Sequence, residues 1–118
     1  MSITVKRIYE PAADTDGVRV LVDRVWPRGV SKDAADIVAW CKDVAPSTQL
    51  RQWFAHDPAK WPEFVARYHA ELDAHPDAVA ELLAHAPKQG TLTLVYSAKD
   101  EQHNQAVALR DYLDHHAE

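Results

Sequence analysis

The chain has 118 residues, the size of one domain, so a second domain is not expected. Its 47% hydrophobic and 26% charged residues are ordinary for a globular protein and exclude global disorder, and no apolar run approaches the roughly 20 residues of a membrane span. With 13 basic against 18 acidic residues the formal charge is −5, which argues against nucleic-acid binding, a function that needs a basic footprint.

The first predicted element is the strand ITVKRI at residues 3–8, where apolar and polar residues alternate. YEPAADTDG, residues 9–17, is a Pro/Asp/Gly loop. VRVLV, residues 18–22, is β-branched and almost wholly apolar, which suits a strand buried on both faces of a parallel sheet. PRGVS, residues 27–31, breaks it. IVAWC, residues 37–41, is a third strand candidate, though its length also admits a helix. Ser47 can cap a short helix that turns Leu50, Trp53 and Phe54 to one side.

Trp61, Phe64, Val65, Tyr68 and Leu72 follow the i, i+3, i+4, i+7, i+11 spacing of an amphipathic helix. Pro62 places its start near Lys60 rather than at Asp57-Pro58. Val79, Leu82, Leu83 and Ala86 mark a second helix between Pro76 and Pro87. LTLVY, residues 92–96, is the fourth strand, and residues 102–115 form a terminal helix with Ala106, Leu109 and Leu113 inward. This order implies an α/β fold: a small, mostly parallel sheet of about four strands with helices packed on it. Nine residues between the first two strands are few for a parallel crossover, so those strands are either antiparallel or not adjacent.

In such a sheet ligands bind beyond the carboxyl ends of the strands. Three strand ends here carry polar and cationic groups. DRVWPRG, residues 23–29, brings Arg24 and Arg28, whose planar forks suit carboxylate or phosphate, around Trp26, which can stack on a planar ligand. Equally, Trp26 can close the sheet edge while the arginines pair with acids such as Asp43. YSAKDEQHN, residues 96–104, runs from strand to helix, and Lys99 with the helix N-terminus would make an anion site. Against this, Ser97 or Asp100 can simply cap the helix, a role that needs neither Lys99 nor His103. In WFAHDP, residues 53–58, His56 is a candidate acid or base, since histidine titrates near neutrality, whereas Asp57-Pro58 is also a good turn.

Other features point away from chemistry. The one cysteine, Cys41, sits in an apolar run and reads as a core thiol, so no intramolecular disulfide and no cysteine metal cluster is expected. Trp40, Trp61 and Tyr68 read as core. His69, His75, His85, His115 and His116 show no metal-ligand spacing, no phosphate-loop or dinucleotide motif is present, and neither a metal nor a cofactor is implied. The N-terminus lacks the apolar stretch of a signal peptide, so a cytoplasmic location is expected.

RVLVDRVWPRGVSK (19–32), WCKDVAPSTQLRQWFAHDPAKWPEFVARY (40–68) and LVYSAKDEQHNQAVALRDYL (94–113) together resemble the domain-of-unknown-function 488 family and its short YeaO-like branch. The resemblance implies a compact bacterial cytoplasmic α/β domain but no settled activity. It points to Asp23, Arg24, Trp26, Arg28, Trp53, His56, Tyr96, Lys99 and Asn104 as signature residues. Longer relatives carry a cysteine after the last strand; YSAKDEQHN has none, so thiol chemistry is not carried over. A histidine is common one place after the motif's Asn, where this chain has Gln105.

Two functions follow. In the first, a small phosphate- or carboxylate-bearing molecule binds across the strand ends. Arg24, Arg28 and Lys99 hold the anion, and Trp26 or Tyr96 stacks. Trp53, Ser97 and Asn104 complete the binding set, and His56, Asp23, Asp100 and His103 supply any acid–base work. In the second, the chain is a non-catalytic domain that docks a protein partner through Trp26, Trp53 and Trp61.

Overall fold

The structure, a computed structural model, describes residues 2–116. Strand β1 (Ser2–Arg7) is followed by a loop holding one 3-10 turn, Asp14–Asp16, and then by β2 (Val18–Leu21). Helix α1 (Lys32–Ala35) leads to β3 (Ala39–Trp40), and α2 (Thr48–Phe54), α3 (Trp61–Asp73) and α4 (Pro76–Ala84) precede β4 (Thr91–Tyr96) and α5 (Gln105–His116). The four strands form one sheet in the order β1-β4-β2-β3, and every pairing is parallel. The fold is therefore α/β, as the element order implies. The short first connection is explained by the second alternative: β1 and β2 are parallel and separated by β4.

The two faces of the sheet differ in chemistry. On one, Val20, Leu92, Leu94 and Tyr96 meet Phe54, Phe64, Tyr68, Leu72, Leu82, Leu109 and Leu113 from the helices in the main core. Phe64, Tyr68 and Leu72 recur every fourth residue along α3, which puts them on one stripe. The caps are read correctly at two places. Ser47 Oγ accepts from the Leu50 N–H at 3.1 Å, and Pro62 occupies the first turn of α3, as its missing N–H allows.

The other face is covered by the β1–β2 loop and α1. Thr4, Thr93 and Arg19 stand side by side across three strands. Thr93 Oγ1 donates to the Asp16 carbonyl at 2.6 Å. The Asp16 carboxylate accepts from Arg19 Nη1 at 2.7 Å and from Lys6 Nζ at 3.1 Å. Burial pushes the Asp16 carboxyl up, but the Ala13 N–H, Lys6 and Arg19 outweigh it and hold the carboxyl below its ordinary value. Arg19 is spent on this framework, since it also bonds the carbonyls of Ala35 and Asp36. Gly17 makes the turn into β2 at φ 64°, and a Cβ there would lie 2.2 Å from the Thr91 carbonyl oxygen, so no other residue fits.

Three sequence expectations need correction. The third strand pairs over Ala39–Trp40 only, and directly after the break at residues 27–31 stands a short helix, α1, that the sequence reading does not include; Ser31 caps it through the Ala34 N–H. Trp40 is not core: it lies on an edge strand, 37% exposed, with Lys42 Nζ 5.1 Å from its ring centroid. The terminal helix starts at Gln105, later than residue 102, because Asp100 closes a turn over residues 100–103 first.

Candidate functional site

Beyond the carboxyl ends of β2 and β4 lies a cleft of about 240 Å³. Its position follows from topology. β2 and β4 are neighbours, and the chain leaves them toward different elements, which opens a crevice between the departing segments. The two segments are tied together by one side chain. Asp23 Oδ2 accepts from the Ser97 N–H at 3.1 Å and from Ser97 Oγ at 2.5 Å. Its Oδ1 accepts from Gln105 Nε2 at the start of α5. Asp23 is 7% exposed, and none of the ion pairs among the described residues includes it. Burial pushes its carboxyl above the ordinary value, against the hydrogen bonds of Ser97 and Gln105 and the charge of Arg51.

Arg24 and Arg51 also line the cleft. Arg24 is strapped down: Nη2 donates to the Ala45 carbonyl at 3.1 Å and Nε to that of Pro46 at 3.3 Å. Arg51 stands exposed on α2, with Thr48 Oγ1 at 3.4 Å from Nη2. Helix α2 ends in two successive left-handed residues, Ala55 (φ 47°) and His56 (φ 56°). Each such conformation costs roughly 1–2 kcal/mol without glycine, and together they bring His56 back to the cleft that Arg51 lines.

Phe54 and Phe64, stacked with centroids 4.4 Å apart, give the cleft its apolar wall. Trp61 stacks behind Phe64 at 5.5 Å and presents an edge contact to His103 at 5.3 Å. His103 Nδ1 meets Asp100 Oδ2 at 3.0 Å, which fixes the ring and leaves Nε2 as its other polar atom. The Gln102 N–H, then the His103 side chain, hold the Asp100 carboxyl below its ordinary value.

The cleft thus gathers six of the residues singled out from sequence: Asp23, Arg24, His56, Ser97, His103 and Asn104. Asp100 reaches it only through His103. The other five lie elsewhere. Trp26 bonds the Val30 carbonyl and packs edge-on against Trp40 on the opposite face of the sheet. Arg28 is exposed, its carbonyl accepting from Tyr9 Oη. Trp53 lies under the Arg67 guanidinium at 4.4 Å. Tyr96 is in the core, and Lys99 is exposed away from the cleft lining. Neither Ser97 nor Asp100 caps α5. Asn104 does, accepting from the Val107 N–H at 3.0 Å.

Arg51, Phe54, Phe64 and Gln105 were missed as cleft residues. The signal for Arg51 was present, because it lies three positions before Phe54 on the same helix and shares its side. No group of three or more His, Cys, Asp or Glu among the described residues could hold a metal ion, and no helix among them is long and apolar enough to cross a membrane. Cys41 is buried, and burial first, then Glu81 and Asp43, push its thiol up to about 11.

Comparison with known proteins finds relatives along the whole chain. Residues 2–118 match the family described as "Inactive DUF488-N3 subclade". The uncharacterised protein YeaO of Escherichia coli K12 is 42% identical over 113 residues, covering 96% of this chain and 97% of its own. The uncharacterised protein Rv3073c of Mycobacterium tuberculosis H37Rv is 39% identical over 112 residues, covering 95% and 93%. No solved structure matches.

Proposed function

We propose that this chain, which belongs to the DUF488 family, is a cytoplasmic protein that binds a small anionic molecule in the cleft beyond β2 and β4 without transforming it. The observation that carries this reading is the meeting of Arg24, Arg51, His56 and His103 around one cavity at adjacent parallel strand ends. Arg51 is exposed and lightly held, which leaves its guanidinium fork for a phosphate or carboxylate. His56 and His103 add ring nitrogens, Asn104 shapes the wall, and Phe54 and Phe64 lower the local dielectric, which strengthens each contact.

Two observations favour binding over catalysis. The subclade matched is described as inactive. Gln105 stands where the family resemblance leads one to expect a histidine, and it faces Asp23. A carboxamide in that place can orient Asp23 but cannot exchange a proton with it near neutral pH. Asp23, His56, Asp100 and His103 are accordingly assigned to binding and positioning.

A thermal-shift panel of phosphate, sulfate, nucleotides, sugar phosphates and carboxylates tests the reading. A ligand at 100 times its Kd adds about 2.7 kcal/mol to stability, a shift of several degrees for a domain of this size. Arg51→Ala is the cleaner control, because Arg24→Ala would also release the Ala45–Pro46 segment. No shift with any anion would remove the reading, and product formation from a bound ligand would remove its non-catalytic part.

A docking role keeps one observation in its favour. Val25, Val38 and Trp40 are 65%, 64% and 37% exposed at or near the edge strand β3, whereas Trp26, Trp53 and Trp61 are engaged internally.

A further inference from the structure

Asp23 is an uncommon kind of buried carboxylate. Its three hydrogen bonds come from the Ser97 N–H, the Ser97 hydroxyl and the Gln105 amide, all neutral donors. A carboxylate offers about four acceptor positions, so one is left. Of the cations that share its cavity, Arg24 is held on the carbonyls of Ala45 and Pro46, and Arg51, lightly held beside Thr48, acts on Asp23 through space without forming an ion pair with it. Positive and negative charge therefore face one cavity of about 240 Å³ without touching. Buried charges are ordinarily paired, since an unpaired one costs several kcal/mol in desolvation. The polar face of the same sheet obeys that rule, where Asp16 has Lys6 and Arg19.

Building on the binding reading above, we infer that the ligand is amphoteric: a small amino carboxylate whose carboxylate meets Arg51 and whose ammonium meets Asp23. Such a molecule supplies the missing counter-charge. A simple anion entering the same cavity meets Asp23 as a like charge in a low dielectric, so among carboxylate-bearing ligands Asp23 favours the one that also carries an ammonium. The cavity is below the range of roughly 300–1,000 Å³ typical of drug-sized ligands, which restricts the occupant to a few heavy atoms beyond its two charged ends.

The experiment is calorimetric titration of the full chain at neutral pH with five probes: acetate, ethylammonium, glycine, β-alanine and 4-aminobutyrate. The amino carboxylates differ in the span between charges, so one should fit best. The expected result is that the best of them binds at least tenfold more tightly than acetate or ethylammonium. Asp23→Asn should erase that advantage and leave acetate binding equal or stronger, while Arg51→Ala should weaken every carboxylate. If acetate matches the best amino carboxylate, the inference falls and the anion reading stands. Inorganic phosphate is titrated alongside: if it binds while no amino carboxylate does, the inference falls and the anion reading stands, and if only ethylammonium binds, or nothing binds, both fall. Should Asp23→Asn not fold, the comparison of probes on the unaltered chain still decides.

Discussion

Asp16 and Asp23 flank the same short strand and are equally hidden, 8% and 7% exposed, yet they sit in opposite electrostatic states. Asp16 has two cations in contact and a carboxyl held below its ordinary value. Asp23 has only neutral donors, and its carboxyl is pushed up. Surface exposure is the same, but Asp23 lies deeper among protein atoms and has no cation in contact, so depth and partners together make the difference. A buried carboxylate with its counter-charges in contact is finished structure, while one with neutral donors alone, in a cleft, is a candidate for a binding role.

The largest effect should come from breaking the finished pair. Asp16→Ala leaves Arg19, itself 4% exposed, with an uncompensated charge and should cost about 3–5 kcal/mol in urea unfolding. A loss under about 1 kcal/mol would mean that the two aspartates do not differ as described. Asp23→Asn should change stability by less than about 1 kcal/mol, because Asn keeps an acceptor for Ser97 and removes a charge that burial disfavours.

The pH dependence should have opposite signs at the two sites. The Asp16 value is depressed in the fold, so its stabilisation is present above 3.8 and is lost as pH falls through the folded value. The Asp23 value is raised, so its contribution is full below 3.8 and is lost as pH rises through the folded value. Stability measured through the acid range should therefore lose part of its low-pH decline in Asp16→Asn. In Asp23→Asn it should lose a decline that lies above 3.8. The smallest effect sharpens the role of burial. Glu63 and Arg67 form an ion pair at 2.5 Å but are 54% and 53% exposed, and Glu63→Gln should cost only about 0.3–0.5 kcal/mol.

Most of the fold was legible because its signals are local. The 3.6-residue stripe from Trp61 to Leu72 and the cap at Ser47 are written in adjacent residues. The two-residue β3 and the four-residue α1 were not, since so few residues carry no period and their form depends on what covers them. The site was half legible. Strand ends locate Asp23 and Ser97, but which loop residues turn inward depends on packing. Trp26 follows Asp23 by three positions and reaches the opposite face, while His56 turns back through two left-handed residues that no sequence rule anticipates. Arg51 and Gln105 lie on helices, where strand-end reasoning does not look.

The strand order carries a consequence for synthesis. Among the described residues β1 pairs with β4 alone, and the paired residues Thr4 and Thr93 are 89 positions apart. At about 5–20 residues per second, the first strand leaves the ribosome several seconds before its partner exists. Until then β1 and one side of β2 present open edges, the kind of surface that pairs with the wrong chain. β4, one of the two interior strands, is thus the last to be made, and the sheet assembles by insertion rather than by growth from one end. Folding of the sheet waits on the synthesis of β4, and a fragment ending before it would hold β1 without its partner beside a short β2–β3 pair, an aggregation-prone remnant rather than a smaller version of the domain.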